Sequence, residues 1–306
     1  MGLTDPIDSA HEREAGLMLT LNTHVMADGA SRAAFNALTL RTFGFSFEEW
    51  YRAGYGSANN IPYTLFDGAK AVANVSVNLM DVVYAGKKRR YIQLGTVMTE
   101  ESFRGRGLCS RLMQTVLAQW SQRCDAMLLF ANRCALDFYP RFGFERQKQA
   151  SFRMPLDTGE GFCRRLDMDS PGDRQIALRC YGQGNPFSAL QVVDQAGLMM
   201  FYALTTRKED MLYVPSFDAL VVAGQEENLL RVYDVFCAPE SGTLAQILRA
   251  AAQPGTRAAE LMFTPVERGG MDVGTLEDED DALFLLRGGE NIFRGGEWLF
   301  PALAHT

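Results

Sequence analysis

Histidine is scarce: three residues, His11, His24 and His305, in a chain of 306. The six cysteines, Cys109, Cys124, Cys134, Cys163, Cys180 and Cys237, include no Cys-x-x-Cys pair and no histidine at ligand spacing. A zinc site needs four such donors brought together, so no metal is expected. Scattered cysteines in a long chain without a secretion signal read as reduced thiols rather than a disulfide framework. Long apolar runs are missing too, for none approaches the roughly 20 residues that cross a bilayer. The opening MGLTDPIDSAHERE is acidic and polar, unlike a signal peptide. These absences argue against a membrane partner and make the cytoplasm the expected location.

Basic excess is also lacking. The net charge is −7, divided unevenly: residues 1–150 carry 17 Lys/Arg against 14 Asp/Glu (+3), and residues 151–306 carry 13 against 23 (−10). The acidic second half argues against nucleic acid as a partner, while the mildly basic first half suits an anionic ligand. Much of the acid, above all the run 277–281, reads as solvated surface. With 47% hydrophobic and 22% charged residues, the composition is that of a globular protein with room for two domains.

What is present is organised around residues 91–123. A strand-like run at 91–99 leads into a polar turn and the cluster Arg104-Gly105-Arg106-Gly107-Leu108-Cys109. Leu108, Leu112, Met113, Val116, Leu117 and Trp120 then recur at the spacing of one apolar helix face. Strand, glycine-bearing turn and helix N-terminus form a device for holding phosphate. The first helical N–H groups lack internal partners and the helix dipole favours an anion there. Gly105 and Gly107 let backbone approach a ligand, and Arg104 and Arg106 supply lasting positive charge. An ordinary strand-to-helix turn with exposed arginines is the plainer alternative.

The spacing carries a resemblance. Arg104-x-x-Gly107-x-Cys109 resembles the (Gln/Arg)-x-x-Gly-x-(Gly/Ala) loop of the GNAT acyl-CoA N-acetyltransferase superfamily. Residues 132–144, NRCALDFYPRFGF, resemble its second signature, a helix ending in tyrosine followed by an apolar-Gly-Phe. The likeness implies a mixed α/β fold, acetyl-CoA as co-substrate, and an acetyl group transferred to a primary amine in a ternary complex. It also implies site residues: main-chain groups of Val97, Met98 and Thr99 on a splayed strand, the loop Arg104, Gly105, Arg106, Gly107, Leu108 and Cys109 on the pyrophosphate, Asn132 on the pantetheine arm, and Tyr139 as proton donor to the departing thiolate. The general base stays open among Glu100, Glu101, Asp81 and the chain end at Thr306 or His305. In the absence of a histone-like or ribosomal docking signature, a small-molecule acceptor is expected. A non-catalytic acyl-CoA sensor or scaffold is the competing reading. A covalent acetyl-cysteine at Cys109 or Cys134 is disfavoured, and the oligomeric state is not legible.

In chain order, residues 1–28 read as a loose lead-in, and a helix capped by Ser31 runs to about Phe43, with a short helix from Ser46. Asp67-Gly68 marks a hairpin between strands 61–66 and 71–80. On the second strand Asn74, Ser76 and Asn78 share one face, lining a pocket or meeting solvent. Residues 87–90, KKRR, read as a solvated turn or a helper for a cofactor phosphate. Residues 126–131 form a buried strand, and 144–155 are expected to complete its sheet. Domains of 1–155 and 156–306 are expected. In the second, strands at 211–214, 219–223 and 229–236, a helix at 243–252 and a strand at 260–263 repeat the layout of the first. There the phosphate loop is replaced by Cys237-Ala238-Pro239-Glu240-Ser241-Gly242, without arginine, which resembles a degenerate GNAT domain.

Overall fold

The computed structural model describes residues 11–14, 17–157, 161–276 and 280–306. The fold is mixed α/β and divides into two compact units. One takes the described residues up to Leu79, with Ile92–Leu129 and Thr306; the other takes Met80–Tyr91 and Phe130–His305. Among the described residues no helix is long and apolar enough to cross a membrane. Residues 277–279 of the acidic run, and 1–10 of the lead-in, lie outside the described residues.

In the first unit, β1 (His11–Glu14) and β2 (Leu17–Asn22) pair antiparallel where a loose segment was expected. Leu19, with polar Thr20 beside it, is buried as strand alternation requires. Helix α1 (Gly29–Phe43) starts before Ser31, because the Asp28 carboxylate accepts from the Ser31 N–H at 2.7 Å and takes the cap. It ends at Gly44, in the left-handed region at φ 79°. A short helix, α2 (Glu48–Arg52), follows with the Ser46 hydroxyl accepting from the Glu48 N–H. The expected hairpin joins β3 (Asn60–Asp67) to β4 (Lys70–Tyr84) through Gly68 at φ 56°. Then come β5 (Lys87–Thr99), α3 (Leu108–Trp120) and β6 (Ala126–Ala131), and the strands lie in the order β1-β2-β3-β4-β5-β6. The α3 residues Leu108, Leu112, Met113 and Val116 are buried as their spacing predicts. Phe35 and Leu38 of α1 close a second core over Phe66, Ala71 and Met98.

The second unit begins with residues 80–91. Lys88 pairs with Asp81 and Asp194, Arg90 with Asp81, and Arg89 with Glu290, so the basic run is an ion-pair cluster at the head of β5. The run follows the hairpin turn as expected, with Lys87, Lys88 and Arg90 exposed, and the ion pairs engage Lys88, Arg89 and Arg90. The helix expected to end at Tyr139 is replaced by 3₁₀ turns, Arg133–Ala135 and Tyr139–Phe142. Pro140 disfavours α geometry at the residue before it, and Gly143, at φ 87°, stops the turn. The strands expected to complete one sheet separate. β7 (Phe144–Arg146) and β8 (Gln149–Pro155) lie in different sheets.

The remaining elements are β9 (Arg164–Arg165), α4 (Pro171–Tyr181), β10 (Leu190–Val193), α5 (Ala196–Leu204), β11 (Met211–Val214), β12 (Ala219–Glu226), β13 (Leu229–Phe236), α6 (Leu244–Ala251), β14 (Ala258–Leu261), β15 (Asp272–Leu276) and β16 (Ala282–Leu286). A seven-stranded sheet runs β15-β8-β14-β13-β12-β11-β9. β16 pairs with β7, and β10 with residues 81–84 of β4. Strand β13 crosses through α6 to the parallel β14, the strand, helix, strand order read from sequence. Helix α6 carries a capping box, in which Thr243 and Gln246 satisfy each other's main-chain N–H groups. Phe152, Val221, Val232, Ile247, Leu248 and Phe263 form its core. The chain's last apolar stretch packs down: Phe300 is fully buried, and its N–H reaches Gln149 Oε1 at 2.9 Å.

Candidate active site

The stretch after Ile92 departs from a regular strand at one residue. Thr96 sits at φ 48° inside β5, a left-handed conformation that a β-branched side chain rarely adopts. The Asn74 amide holds it, donating to the Thr96 carbonyl at 2.9 Å. A residue in that conformation departs from the extended pleat of its neighbours, although β5 continues through it to Thr99. Immediately beyond lie Val97, Met98 and Thr99, with Met98 buried and its two neighbours half-buried.

After one 3₁₀ turn (Glu101–Phe103) the chain enters the double-glycine loop. Gly105 (φ 75°) and Gly107 (φ 76°) both lie in the left-handed region, and a Cβ on either would meet nothing within 4 Å. Gly107 is the N-cap of α3, and Arg104 and Arg106 are exposed on either side of Gly105. Arg106 donates to the Ser102 carbonyl at 3.1 Å and lies over the Phe103 ring at 4.8 Å. Leu108 points into the core, so only its main chain is available to a ligand. The Cys109 sulfur lies 2.9 Å from the Thr99 hydroxyl and 3.5 Å from the Met98 carbonyl, tying the strand end to the first turn of α3. Burial raises the Cys109 thiol pKa, with the Thr99 hydroxyl opposing it, which makes it a fastener rather than a nucleophile. An open cradle, two guanidinium groups and a helix N-terminus fit a pyrophosphate.

The polar face of β4 lies beneath this stretch. Asn74 and Ser76 are fully buried and Asn78 nearly so, so the face does not meet solvent. Its groups are paired: Thr64 Oγ1 donates to Asn74 Oδ1 (2.8 Å), Asn74 Nδ2 also reaches Ser76 Oγ (3.0 Å), and Asn60 Nδ2 donates to Asn78 Oδ1 (2.6 Å). Asn78 Nδ2 reaches the Gln93 carbonyl (3.2 Å) and Thr306 Oγ1 (2.9 Å). Thr306 lies against Gly95, where a Cβ would stand 2.7 Å from its hydroxyl.

Against known proteins, residues 27–147 match the family model of the acetyltransferase (GNAT) domain. Solved structures share its fold. A conserved protein of Enterococcus faecalis V583, described as a probable N-acyltransferase, superposes with a TM-score of 0.56 at 12% identity, over 88% of this chain and 72% of that one. A GCN5-related N-acetyltransferase of Anabaena variabilis ATCC 29413 gives 0.54 at 13%, over 87% and 72%. Eis1 of Mycobacterium abscessus gives 0.52 at 13%, over 87% and 73%. No curated protein matches by sequence.

Of the site residues expected for a GNAT domain, the structure brings together Val97, Met98, Thr99 and the loop from Arg104 to Cys109. Asn132 and Tyr139 fall in the second unit, on the turns after β6. Asn132 is exposed, and Tyr139 is buried among Phe138, Phe144 and Phe284. The base candidates differ in their surroundings. Burial acts to raise the Glu100 pKa, but Lys70 (3.1 Å) and Arg41 (2.7 Å) outweigh it and hold the carboxyl below its ordinary value. Asp81 is held down in the same way, burial being outweighed by Lys88 and Arg90. Glu101 is exposed. His305 stacks on Phe130 at 3.6 Å between centroids, with Nδ1 2.7 Å from Asp281. Sequence reasoning missed Thr96 and, although it offered the chain end at Thr306 as a base candidate, it missed the contact of Thr306 with Gly95. One signal pointed to both: Gly95, an isolated glycine inside a strand, which marks a bulge or a close main-chain approach.

Proposed function

We propose that this protein transfers an acetyl group from acetyl-CoA to a primary amine of a small-molecule acceptor, by direct attack in a ternary complex. One observation carries the reading: the left-handed Thr96 within β5, the open turn at Gly105 and Gly107, and the start of α3 follow one another without interruption inside the stretch that matches the GNAT domain model. Acetyl-CoA supplies the thioester. On this reading Val97, Met98 and Thr99 offer main-chain groups to the pantetheine arm, and an N–H among them stabilises the oxyanion. Arg104, Arg106 and the main chain of Gly105, Gly107, Leu108 and Cys109 hold the pyrophosphate. Asn132 assists with the arm, and Tyr139 gives a proton to the departing thiolate. The proton lost by the amine goes to Glu101 or to the Thr306 end of the polar stripe, since Glu100 and Asp81 are each held by two cations. The seven-stranded half reads as a GNAT-like domain without a cofactor loop. At Gly242 an added Cβ would meet the Phe217 ring at 2.9 Å, so aromatic carbon fills the place that stays open at Gly107.

A second reading, a sensor that binds acyl-CoA without turnover, draws on the same ion-paired Glu100 and Asp81. Calorimetric titration of acetyl-CoA, followed by thiol release across a panel of amines, separates the two. Micromolar binding with turnover that Tyr139→Phe abolishes supports transfer. Binding without turnover on any amine supports the sensor, and absence of binding overturns both.

A further inference from the structure

The second unit holds a cavity of about 310 Å³ beside α4, β10 and β13. Leu190, Val192, Leu198, Met199 and Phe236 give it apolar walls. Two carboxylates line it, Asp194 and Asp234, and among the described residues the second lacks a cation. Asp234 Oδ1 accepts from the Asn185 side-chain amide at 2.5 Å and from the Val235 N–H at 2.9 Å. Its Oδ2 receives no hydrogen bond from the described residues. Asn185 is itself fixed, its Oδ1 accepting from the Phe187 N–H at 2.9 Å, so the amide cannot turn to serve both oxygens. Across the cavity the Tyr181 hydroxyl accepts from the Gln195 N–H at 2.8 Å. The cavity lining contains no lysine, arginine or histidine. Its other carboxylate, Asp194, is exposed and paired with Lys88 at 3.1 Å. Gln183, Ser188, Gln191 and Gln195 add polar groups to the lining and Asp234 is half-buried, yet a carboxylate oxygen there with no cation of its own favours a proton or a cationic guest.

We propose that this cavity is a binding site for a small organic ammonium ion, its head on Asp234 Oδ2 and its apolar body against Leu190, Met199 and Phe236. Burial pushes the Asp234 carboxyl up to about 7, the Asn185 amide and Val235 N–H only partly opposing it. In the same chamber burial pushes Tyr181 up to about 12, so its hydroxyl stays neutral. A guest that brings positive charge favours the ionised form of Asp234, and the proton it held passes to solvent. The sign follows: with Asp234 protonated below about pH 7, ammonium binding weakens as pH falls through 7 and strengthens above it. The inference stands whether or not the chain transfers acetyl groups, because it concerns a cavity lined by the second unit alone.

The test uses the full chain without acetyl-CoA and phenethylamine as probe, with 2-phenylethanol as its uncharged twin. Calorimetry at pH 5.5 and 8.5 should show phenethylamine binding at least tenfold tighter at the higher pH, with protons released to buffer at pH 7. The alcohol should show neither effect, and Asp234→Asn should weaken amine binding at least tenfold and remove its pH dependence. In the unsubstituted protein the amide signals of Val235 and of the Asn185 side chain should shift on titration, which tests the site even if Asp234→Asn does not fold. Phenethylamine that fails to bind, that binds no better than the alcohol, or that leaves those signals unmoved overturns the proposal.

Discussion

Gly107→Ala separates what a glycine does for the fold from what it does for a ligand, because the structure provides a matched control. Gly107 sits at φ 76° and Gly44 at φ 79°, and an added Cβ at either meets nothing within 4 Å. Both stand at helix termini, Gly107 before α3 and Gly44 after α1. An L-residue in that conformation costs roughly 1 kcal/mol relative to glycine. With no clash to add, Gly107→Ala and Gly44→Ala should each lower urea stability by about that amount. Ligand binding should tell them apart. The methyl at 107 stands where a pyrophosphate oxygen would meet the main chain, and losing one charge-assisted contact costs about 1.5–3 kcal/mol, roughly a tenfold to hundredfold weaker Kd. Calorimetry with acetyl-CoA should show that loss in Gly107→Ala and none in Gly44→Ala. If the two variants bind acetyl-CoA within twofold of each other, the open turn is not the phosphate cradle.

Two other outcomes follow from neighbouring contacts. At pH 8, iodoacetamide should alkylate the exposed Cys134 at least tenfold faster than Cys109, whose thiol is raised by burial and fastened to Thr99; peptide mass spectrometry that finds Cys109 labelled first would show the fastening to be absent. Gly95→Ala should cost about 1–3 kcal/mol, since its methyl displaces Thr306 and strips a partner from the buried Asn78 amide. Removing Thr306 from that variant should recover the part of the loss caused by the clash, and an unchanged penalty would contradict the close approach.

What the sequence showed plainly was whatever depends on near neighbours. The apolar spacing of α3, the runs that became β6 and β13, the hairpin at Gly68 and the strand, helix, strand crossover around α6 are all set within about a dozen residues. The helix expected to end at Tyr139 follows the family pattern, whereas the chain forms 3₁₀ turns there, Pro140 disfavouring α geometry at the residue before it. β8 was given to the wrong sheet because a run such as 149–155 says that it pairs and not with what. The loop from Arg104 to Cys109 was legible as a site by its charge and glycines, whereas its supports were not. Asn74 reaches Thr96 across 22 positions, and Asn78 reaches Thr306 across 228. Asp234 and Asn185, 49 apart, carry no local pattern, so the cavity in the second unit left no trace that a sequence reading could find.

The route of the chain bears on where it can be divided. Residues 80–91 belong with the second unit although 92–129 return to the first, and Thr306 belongs with the first after a long stretch in the second. Strand β8 ends at Pro155, and its partners β14 and β15 come about a hundred residues later. A cut after residue 155 would leave β8 with neither partner and Asn78 without Thr306. Each unit is therefore assembled from separate stretches of the chain, so a truncation at either unit's sequence boundary removes strands or contacts that the other stretches supply.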